Sequence, residues 1–263
     1  MAILNVTPDS FSDGGRYSDP QKAAEAALRL VDDGADIIDV GGESTRPGAE
    51  PVSTDQELGR VIPVIEAIRA RIAAPISIDT RKPEVARLAI AAGASIWNDV
   101  SALTCSAESP DLAARLGCDV VLMHAQGDPQ TMQRAPSYSD VVGEVHDFLE
   151  ARVTACLAAG IARERIYVDP GIGFGKTLEH NLALLRALPR FKAIAPVLLG
   201  ASRKRFIAGL DRDVAPTDRI GGSIAAALAG AAAGVAVVRV HDVAETRQAL
   251  AVWSAISPMQ RSQ

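Results

Sequence analysis

Short apolar runs alternate with longer amphipathic segments along the whole chain. The apolar runs are rich in β-branched residues and recur roughly every 25 to 40 residues, which is typical of repeated strand and helix units. We expect strands at residues 3–6, 36–40, 76–79, 95–99, 120–124, 166–169, 197–200 and 235–241.

Between these runs, apolar residues recur at steps of three and four, the spacing of one helix face. The pattern predicts helices at residues 20–33, 54–71, 83–92, 138–159, 178–188, 217–233 and 243–256. Start signals precede two of them: Ser-Asp-Pro at 18–20, and Ser53-Thr54 ahead of Glu57. Eight strands alternating with helices predict a single-domain (β/α)8 TIM barrel spanning residues 1–263. A doubly wound open sheet is the alternative.

Most predicted strands end in a polar residue that a packed barrel core would not select. These residues are Asn5, Asp39, Asp79, Asn98, Asp99, His124, Asp169, Arg239 and His241. One such residue usually caps the following loop, but unpaired buried polar groups cost about 1–3 kcal/mol each. So many of them at the ends of parallel strands therefore predict a polar ligand at the C-terminal mouth of the barrel, where active sites of this fold lie.

The residue types at these positions indicate the kind of ligand. Asp and Asn side chains match a flat heterocycle with amino and ring N–H donors, such as a pterin. Arg239 and His241 are two positions apart and offer donors to an anion, and Asn5 with nearby oxygens suits a Mg²⁺ that bridges phosphates. This half of the predicted site suits a diphosphate.

Two further segments carry candidate chemistry. The sequence DPGIGFGK at 169–176 matches neither common phosphate-binding pattern, so we interpret it as a tight turn in which Gly171 and Gly173 allow close approach and Phe174 offers a flat apolar wall. The run GASRKR at 200–205 places three cations and a hydroxyl at a predicted helix start, which indicates a bound anion or acceptor. His146, His180, Cys105 and Trp97 are interpreted as ordinary helix or packing residues.

Composition excludes several classes of function. The net charge of −5 argues against nucleic-acid or membrane-surface binding, since both need clustered Lys and Arg. Three widely spaced cysteines suggest neither a disulfide framework nor a zinc site. The N-terminus lacks the pattern of a secretory signal, so we expect a cytoplasmic protein. The apolar stretch at 224–238 is too short to span a bilayer and is interpreted as a buried helix running into a strand.

The sequence resembles the dihydropteroate synthase family over nearly its whole length. Two blocks are highly specific, ILNVTPDSFSDGG at 3–15 and DVGGESTRPG at 39–48. The remaining family blocks follow in order as SIDT at 77–80, ND at 98–99, LMH at 122–124, DPGIGFGK at 169–176, SRK at 202–204 and RVHD at 239–242. The resemblance implies an enzyme that joins a dihydropterin diphosphate to p-aminobenzoate.

The resemblance also implies roles for individual residues. Asp79, Asn98, Met123, Asp169 and Lys204 would bind the pterin ring. The diphosphate and its Mg²⁺ would be served by Asn5, Thr45, Arg239 and His241, with Asp39 close by and with Asn5 as the metal ligand. The p-aminobenzoate subsite would comprise Thr45, Arg46, Pro47, Gly171, Phe174, Ser202 and Lys204. Asp39, Lys204, Arg239 and His241 would be the catalytic set. Family members are sulfonamide targets and commonly homodimers.

One departure from the family pattern falls in the p-aminobenzoate subsite. Many members carry a serine after the Ser-Arg-Lys run, whereas this chain has Arg205. Backbone N–H groups or Arg205 itself are the candidates to replace that hydroxyl.

Three other interpretations are alternatives to the synthase: a pterin-dependent methyltransferase, an inactive pterin-binding homologue and a purely structural barrel. The STRP loop, the Arg-x-His pair and the presence of Asn5, Lys204, Arg239 and His241 favour the synthase.

Overall fold

The computed structural model describes residues 1–6, 19–44, 51–127 and 131–257. Strands and helices alternate through these residues, as the apolar pattern predicts. In chain order the elements are β1 (Ala2–Asn5), α1 (Pro20–Asp32), β2 (Ile38–Gly41), α2 (Thr54–Arg69), β3 (Ile76–Asp79), α3 (Pro83–Ala91), β4 (Ile96–Asp99), α4 (Ser109–Leu116), β5 (Asp119–Met123), α5 (Val141–Ala158), β6 (Ile166–Asp169), α6 (Leu178–Arg186), α7 (Leu188–Phe191), β7 (Leu198–Leu199), α8 (Arg205–Leu210), α9 (Ile220–Ala233), β8 (Val237–Val238) and α10 (Val243–Ile256).

The strands close into a barrel. Strands β1 to β6 form one parallel sheet in sequence order, and β7 pairs with β8. Two parallel bridges join these sheets, Val168 with Val197 and Ala2 with Val240. The prediction of a (β/α)8 barrel is therefore confirmed, and the open-sheet alternative is not. The seventh and eighth strands are shorter than predicted, but pairing continues beyond them, since the Arg239 amide donates to the Leu199 carbonyl at 2.9 Å.

Local signals account for several element boundaries. Asp19 caps α1 by accepting from the Gln21 amide, as the Ser-Asp-Pro signal predicts. Ser53 caps α2 in a capping box whose partner is Gln56, so Glu57, one position later, is left free for another contact. Helix α5 begins at Val141 rather than at the predicted residue 138, because Asp140 is the capping residue. Helix α4 was absent from the expected helices.

Two apolar layers stabilise the barrel from opposite sides of the sheet. Outward-facing strand residues such as Val40, Ile78 and Trp97 are fully buried beneath the helices. Inside the barrel, Met1, Ile96, Val121 and Leu198 form a separate cluster near the N-terminal ends of the strands. This cluster fills the lower interior, and the polar residues at the strand ends lie above it, towards the C-terminal mouth.

Helix α9 departs from its expected environment. It ends at Gly234 in a left-handed conformation (φ +75°), as expected of a helix that runs into a strand. It is not the buried helix that the apolar pattern predicts, because Ala225, Ala229 and Ala232 are exposed along one face.

In the described parts of the chain, every helix is too short or too polar to cross a bilayer.

Candidate active site

Strand alternation decides which polar strand ends face the barrel interior. In parallel strands, register partners point to the same side of the sheet. Asp79 is paired with Asn98 and with Gly41, and Gly41 is paired with Asn5, while Met123 is paired with Asp169. The interior cluster contains Val121, two residues before Met123, and Ile96, two before Asn98. These polar residues and Met123 therefore form an upper interior layer, as predicted.

Two of the predicted strand-end residues do not belong to this layer. Asp99 follows Asn98, and His124 follows Met123, so alternation turns both outward. The Asp99 carboxylate accepts from the Ser101 amide and hydroxyl, each at 2.7 Å, and from the Leu103 amide at 2.9 Å. Burial raises the pKa of Asp99 to about 6. Asp99 thus orders the loop after β4, and the expectation that it faces the mouth is wrong.

At the centre of the mouth, one guanidinium lies between two carboxylates. Arg239 Nε donates to Asp39 Oδ2 at 2.7 Å, and Nη2 contacts Asp39 Oδ2 at 2.6 Å and Asp79 Oδ2 at 2.7 Å. One cation cannot fully neutralise two buried carboxylates. Burial, together with the nearby Asp39 charge, accordingly raises the pKa of Asp79 to about 7, although Arg239 acts in the opposite direction.

An acceptor without a donor lies beside this cluster. Within the described residues, Asp79 Oδ1 is buried and has no hydrogen-bond partner. A Cβ built at Gly41 would lie 3.7 Å from Asn5 Oδ1 and 3.8 Å from Asp79 Oδ2, so these two side chains border the same small space. Buried acceptors are rarely left unpaired. Asp79 Oδ1 is therefore positioned to accept from a ligand.

A second charged pair stands on the opposite side of the mouth. Burial raises the pKa of Asp169, and nearby Lys204 opposes that rise. Burial lowers the pKa of Lys204 to about 8, with Asp169 opposing it in turn. Lys204 Nζ lies 4.5 Å from the Phe174 ring centroid and donates to the Ile172 carbonyl. Lys204 thus contacts the glycine turn at 170–175 and acts electrostatically on the interior carboxylate of Asp169.

The turn between β7 and α8 brings Ser202 and His241 together. Ser202 Oγ lies 3.1 Å from His241 Nδ1 and accepts from the His241 amide at 3.3 Å. The next residue, Arg203, has a left-handed backbone (φ +59°), which is unusual for a non-glycine residue. Its amide donates to Ser223 Oγ at 2.9 Å, and its guanidinium pairs with Asp242. These contacts fix the turn that presents Ser202 and Lys204.

Three predicted site residues, Thr45, Arg46 and Pro47, lie outside the described residues. On both sides of this segment, the described residues make hydrogen bonds and ion pairs. Glu43 Oε1 accepts from the Val52 amide at 3.1 Å, and Lys82 Nζ contacts Glu43 Oε2 at 2.8 Å and the fully buried Glu57 Oε2 at 2.5 Å. This ion network is not among the features predicted from the sequence. A detectable signal was Glu57 on the apolar face of α2.

Several minor expectations meet a mixed outcome. Trp97 is fully buried, as expected of a packing residue, whereas Cys105 is exposed and its packing assignment is wrong. Arg205 is exposed at the first position of α8. On α5, ligand atoms of His146, Asp147 and Glu150 lie within 4.8 Å of one another, a proximity that the interpretation of His146 as an ordinary helix residue did not anticipate. Asp147 and Glu150 are exposed, as is common for acidic groups that bind no metal.

Comparison with known proteins agrees with this geometry. The sequence profile described as "Pterin binding enzyme" matches residues 1–241. The dihydropteroate synthase of Escherichia coli K12 is 49% identical over 256 residues, covering 97% of this chain and 90% of that protein. The chain belongs to the dihydropteroate synthase family. It is accordingly an enzyme of the transferase class, and the relatives named here do not support the methyltransferase alternative.

Solved structures of the family share the same architecture. Xanthomonas albilineans dihydropteroate synthase with 4-aminobenzoic acid has a TM-score of 0.91 and 50% identity, covering 98% of this chain and 93% of that one. The same enzyme in complex with 7,8-dihydropteroate has a TM-score of 0.87 and 47% identity, with the same coverage of both chains. Both likenesses extend over the whole barrel.

Proposed function

We propose that this dihydropteroate synthase family member condenses 6-hydroxymethyl-7,8-dihydropterin diphosphate with p-aminobenzoate, giving 7,8-dihydropteroate and pyrophosphate. The observation that carries the proposal is the buried Asp79 Oδ1, which lacks a donor among the described residues, within an interior layer that also holds Asn98 and Asp169. A pterin edge offers amino and ring N–H donors to such acceptors. Met123, buried in the same layer, would pack against the ring face.

The diphosphate is assigned to the side of the mouth that holds Arg239, His241 and Asn5. Arg239 and His241 supply donors, and Thr45 is expected to contribute from the segment outside the described residues. The contacts of Arg239 with Asp39 and Asp79 do not use Nη1. Departure of diphosphate develops negative charge, which oriented donors in a buried site stabilise strongly.

The same side of the mouth fits a magnesium ion. Mg²⁺ prefers oxygen ligands, keeps several waters and is usually held by one or two protein groups together with substrate phosphates. Asn5 Oδ1, which borders the same small space as the Asp79 carboxylate, meets that description. We assign Asn5 as the protein ligand, with Asp39 nearby. When bound, the ion would neutralise charge on the diphosphate.

The p-aminobenzoate subsite is assigned to the turns after β6 and β7. Half-buried Phe174 offers a flat apolar face, Gly171 allows close backbone approach, and Lys204 and Ser202 supply polar contacts. Arg46 and Pro47 complete the proposed set from the segment outside the described residues. Arg205, exposed in the first turn of α8, is available to pair with the carboxylate of p-aminobenzoate.

The proposed reaction needs positioning more than acid–base chemistry. An aromatic amine is neutral at pH 7, so its lone pair attacks the pterin methylene carbon without a strong general base. The C–O bond breaks with its electron pair leaving on the diphosphate oxygen, the C–N bond forms, and the surplus amine proton passes to water. Holding both substrates in contact converts the encounter into an effectively unimolecular step.

The test is a pyrophosphate-release assay with dihydropterin diphosphate and Mg²⁺, run with and without p-aminobenzoate. We expect release to require p-aminobenzoate and to match dihydropteroate formation mole for mole. Tight pterin binding without any release would contradict the synthase assignment. Adding a sulfonamide should raise the apparent KM for p-aminobenzoate without changing the KM for the pterin substrate.

We further propose that the enzyme is a homodimer that pairs through the exposed faces of α9 and α10. Ala229 is exposed on α9, and Val252 and Ile256 on α10 are 56% and 75% exposed. Helices α9 and α10 are neighbours, and apolar side chains exposed on adjacent helices are typical of protein interfaces when they form one patch. Sedimentation equilibrium should give the mass of two chains for the wild type and of one chain for Ala229→Glu, which places a charge and extra bulk on this face. A monomeric wild type at micromolar concentration would contradict the proposal.

A further inference from the structure

Lys176 is a buried cation that the proposed chemistry does not use. It is 3% exposed and lies at the end of the glycine turn at 170–175. Its Nζ is 3.0 Å from His124 Nδ1, 3.2 Å from the His124 carbonyl and 3.0 Å from the Phe174 carbonyl. When it is protonated, Nζ has three N–H donors, and these three acceptors satisfy all of them.

The turn that Lys176 crosses has an unusually constrained path. Gly171, Gly173 and Gly175 all have positive φ, at +70°, +83° and +64°. A Cβ on Gly171 would lie 1.9 Å from the His124 carbonyl, and one on Gly175 would lie 2.3 Å from the Gln126 carbonyl. The turn therefore lies directly against the end of β5, and Lys176 bridges the turn and the strand end at the point of closest approach.

His124 is suited to accept this hydrogen bond. Burial, and then the charge of Lys176, lower the pKa of His124 to about 3, so its ring is neutral near pH 7. Its ring packs edge-on against Phe148 at 5.0 Å between centroids, which fixes the ring plane. An Nδ1 that accepts from Lys176 places the ring proton on Nε2. His124, which faces away from the mouth, is thus a hydrogen-bond partner of Lys176.

We propose that Lys176 is a positioning residue for p-aminobenzoate, acting by fixing the turn that carries Phe174 and the Ile172 carbonyl. Phe174 is the proposed wall of that subsite, and the Ile172 carbonyl accepts from Lys204. Lys176 is not among the proposed substrate contacts. It donates to the Phe174 carbonyl, so that the ring and Lys204 keep their mutual geometry when the subsite is empty.

Burial lowers the pKa of Lys176 to about 7, with Asp169 opposing the effect and Lys204 reinforcing it. The other groups around the turn are Tyr138, whose hydroxyl donates to the Gly175 carbonyl at 2.9 Å, and Asn181, whose side-chain oxygen accepts from the Gly173 amide at 2.6 Å. Neither of them contacts the Phe174 carbonyl. Lys176 is the described side chain that ties this carbonyl to β5.

The assignment of the subsite rests on the proposed function, so the test combines kinetics with a structural readout. Lys176→Met keeps the apolar bulk of the side chain, one atom shorter, and removes all three donors. We expect KM for p-aminobenzoate to rise at least tenfold, while KM for the pterin substrate changes less than threefold. Hydrogen exchange of the peptide spanning the turn should accelerate at least tenfold. Val153→Ala, a buried change on α5, is the matched control and should lower the unfolding temperature without either effect.

His124→Leu keeps the test decisive if Lys176→Met does not fold. It removes one acceptor and retains both carbonyls, so we expect about a threefold rise in KM for p-aminobenzoate alone. An unchanged KM for p-aminobenzoate in either folded variant would overturn the inference, as would an equal loss of affinity for both substrates. A wild type that forms no dihydropteroate would contradict the proposed function instead, and turn exchange in Lys176→Met would then decide this inference.

Discussion

The two ends of the barrel interior are built from the same strands, yet they differ in the polarity of their side chains and in what burial does to stability. At the N-terminal end, Ile96 and Val121 pack in an apolar cluster. Two residues further along the same strands, Asn98 and Met123 belong to a layer that includes Asp79, Asp169 and Arg239. The first arrangement stabilises the fold by burying apolar surface. The second buries charge, which costs free energy, and is useful only if a ligand offsets that cost.

The largest expected difference between the two ends is in catalysis. We expect His241→Ala and Arg239→Ala to lower turnover at least a thousandfold, about 4 kcal/mol of transition-state stabilisation, because they remove donors to the departing diphosphate. Pterin affinity should largely survive. Arg239→Ala also leaves Asp39 and Asp79 unpaired, so His241→Ala is the cleaner variant.

Steady-state kinetics and pterin titration on each variant check this prediction. Arg87→Ala, which removes an exposed ion pair with Glu84, is the control and should keep its activity. Near-normal turnover in both His241→Ala and Arg239→Ala would contradict the assignment of these two residues to the diphosphate.

The apolar end should respond in the opposite way. Ile96→Ala opens a cavity in a fully packed cluster, so we expect the free energy of unfolding to fall by about 2–4 kcal/mol. Turnover per folded molecule should change less than threefold, because the mouth is built on other side chains. Urea unfolding and kinetics at low temperature measure both quantities. If Ile96→Ala lost turnover at unchanged stability, the apolar end would contribute to catalysis and the comparison of the two ends would be wrong.

The smallest predicted effect concerns the charge excess at the mouth. The folded-state pKa of Asp79 is raised to about 7, so the folded state binds more protons than the unfolded state between about pH 4 and 7. Its contribution to stability therefore falls as pH rises through that window. Asp79→Asn removes this loss. Between pH 5 and pH 8, the free energy of unfolding of the variant should therefore rise by about 1–2 kcal/mol relative to that of the wild type. Urea unfolding at both pH values measures the change, and a pH-independent difference would contradict it.

The sequence predicts the barrel well because its signals are local and repeated. Eight apolar runs and the periodic helices between them locate nearly every element. The polar strand ends predict the mouth, but alternation along a strand was needed to separate Asn98 from Asp99 and Met123 from His124. That rule could have been applied to the sequence, since neighbouring residues on a strand face opposite sides.

Other features depend on contacts between distant segments, which no local pattern reveals. In the sequence, Lys176 is only the last residue of a glycine run, and its partner His124 lies 52 positions earlier. The pairing of Lys82 with Glu43 and Glu57 also joins separate segments, the loop after β2, helix α2 and the start of α3. Asn181 did leave a signal, as a polar residue between Leu178 and Leu184 on the buried face of α6.

Calorimetric titration of the dihydropterin substrate into three proteins tests the central claim most directly. The mouth, and not the apolar end, is proposed to recognise the pterin ring. Wild type and Ile96→Ala should therefore bind with affinities within threefold of each other, and Asp169→Ala should bind about a hundredfold more weakly. Unchanged affinity in Asp169→Ala, or an equal loss in folded Ile96→Ala, would contradict the account.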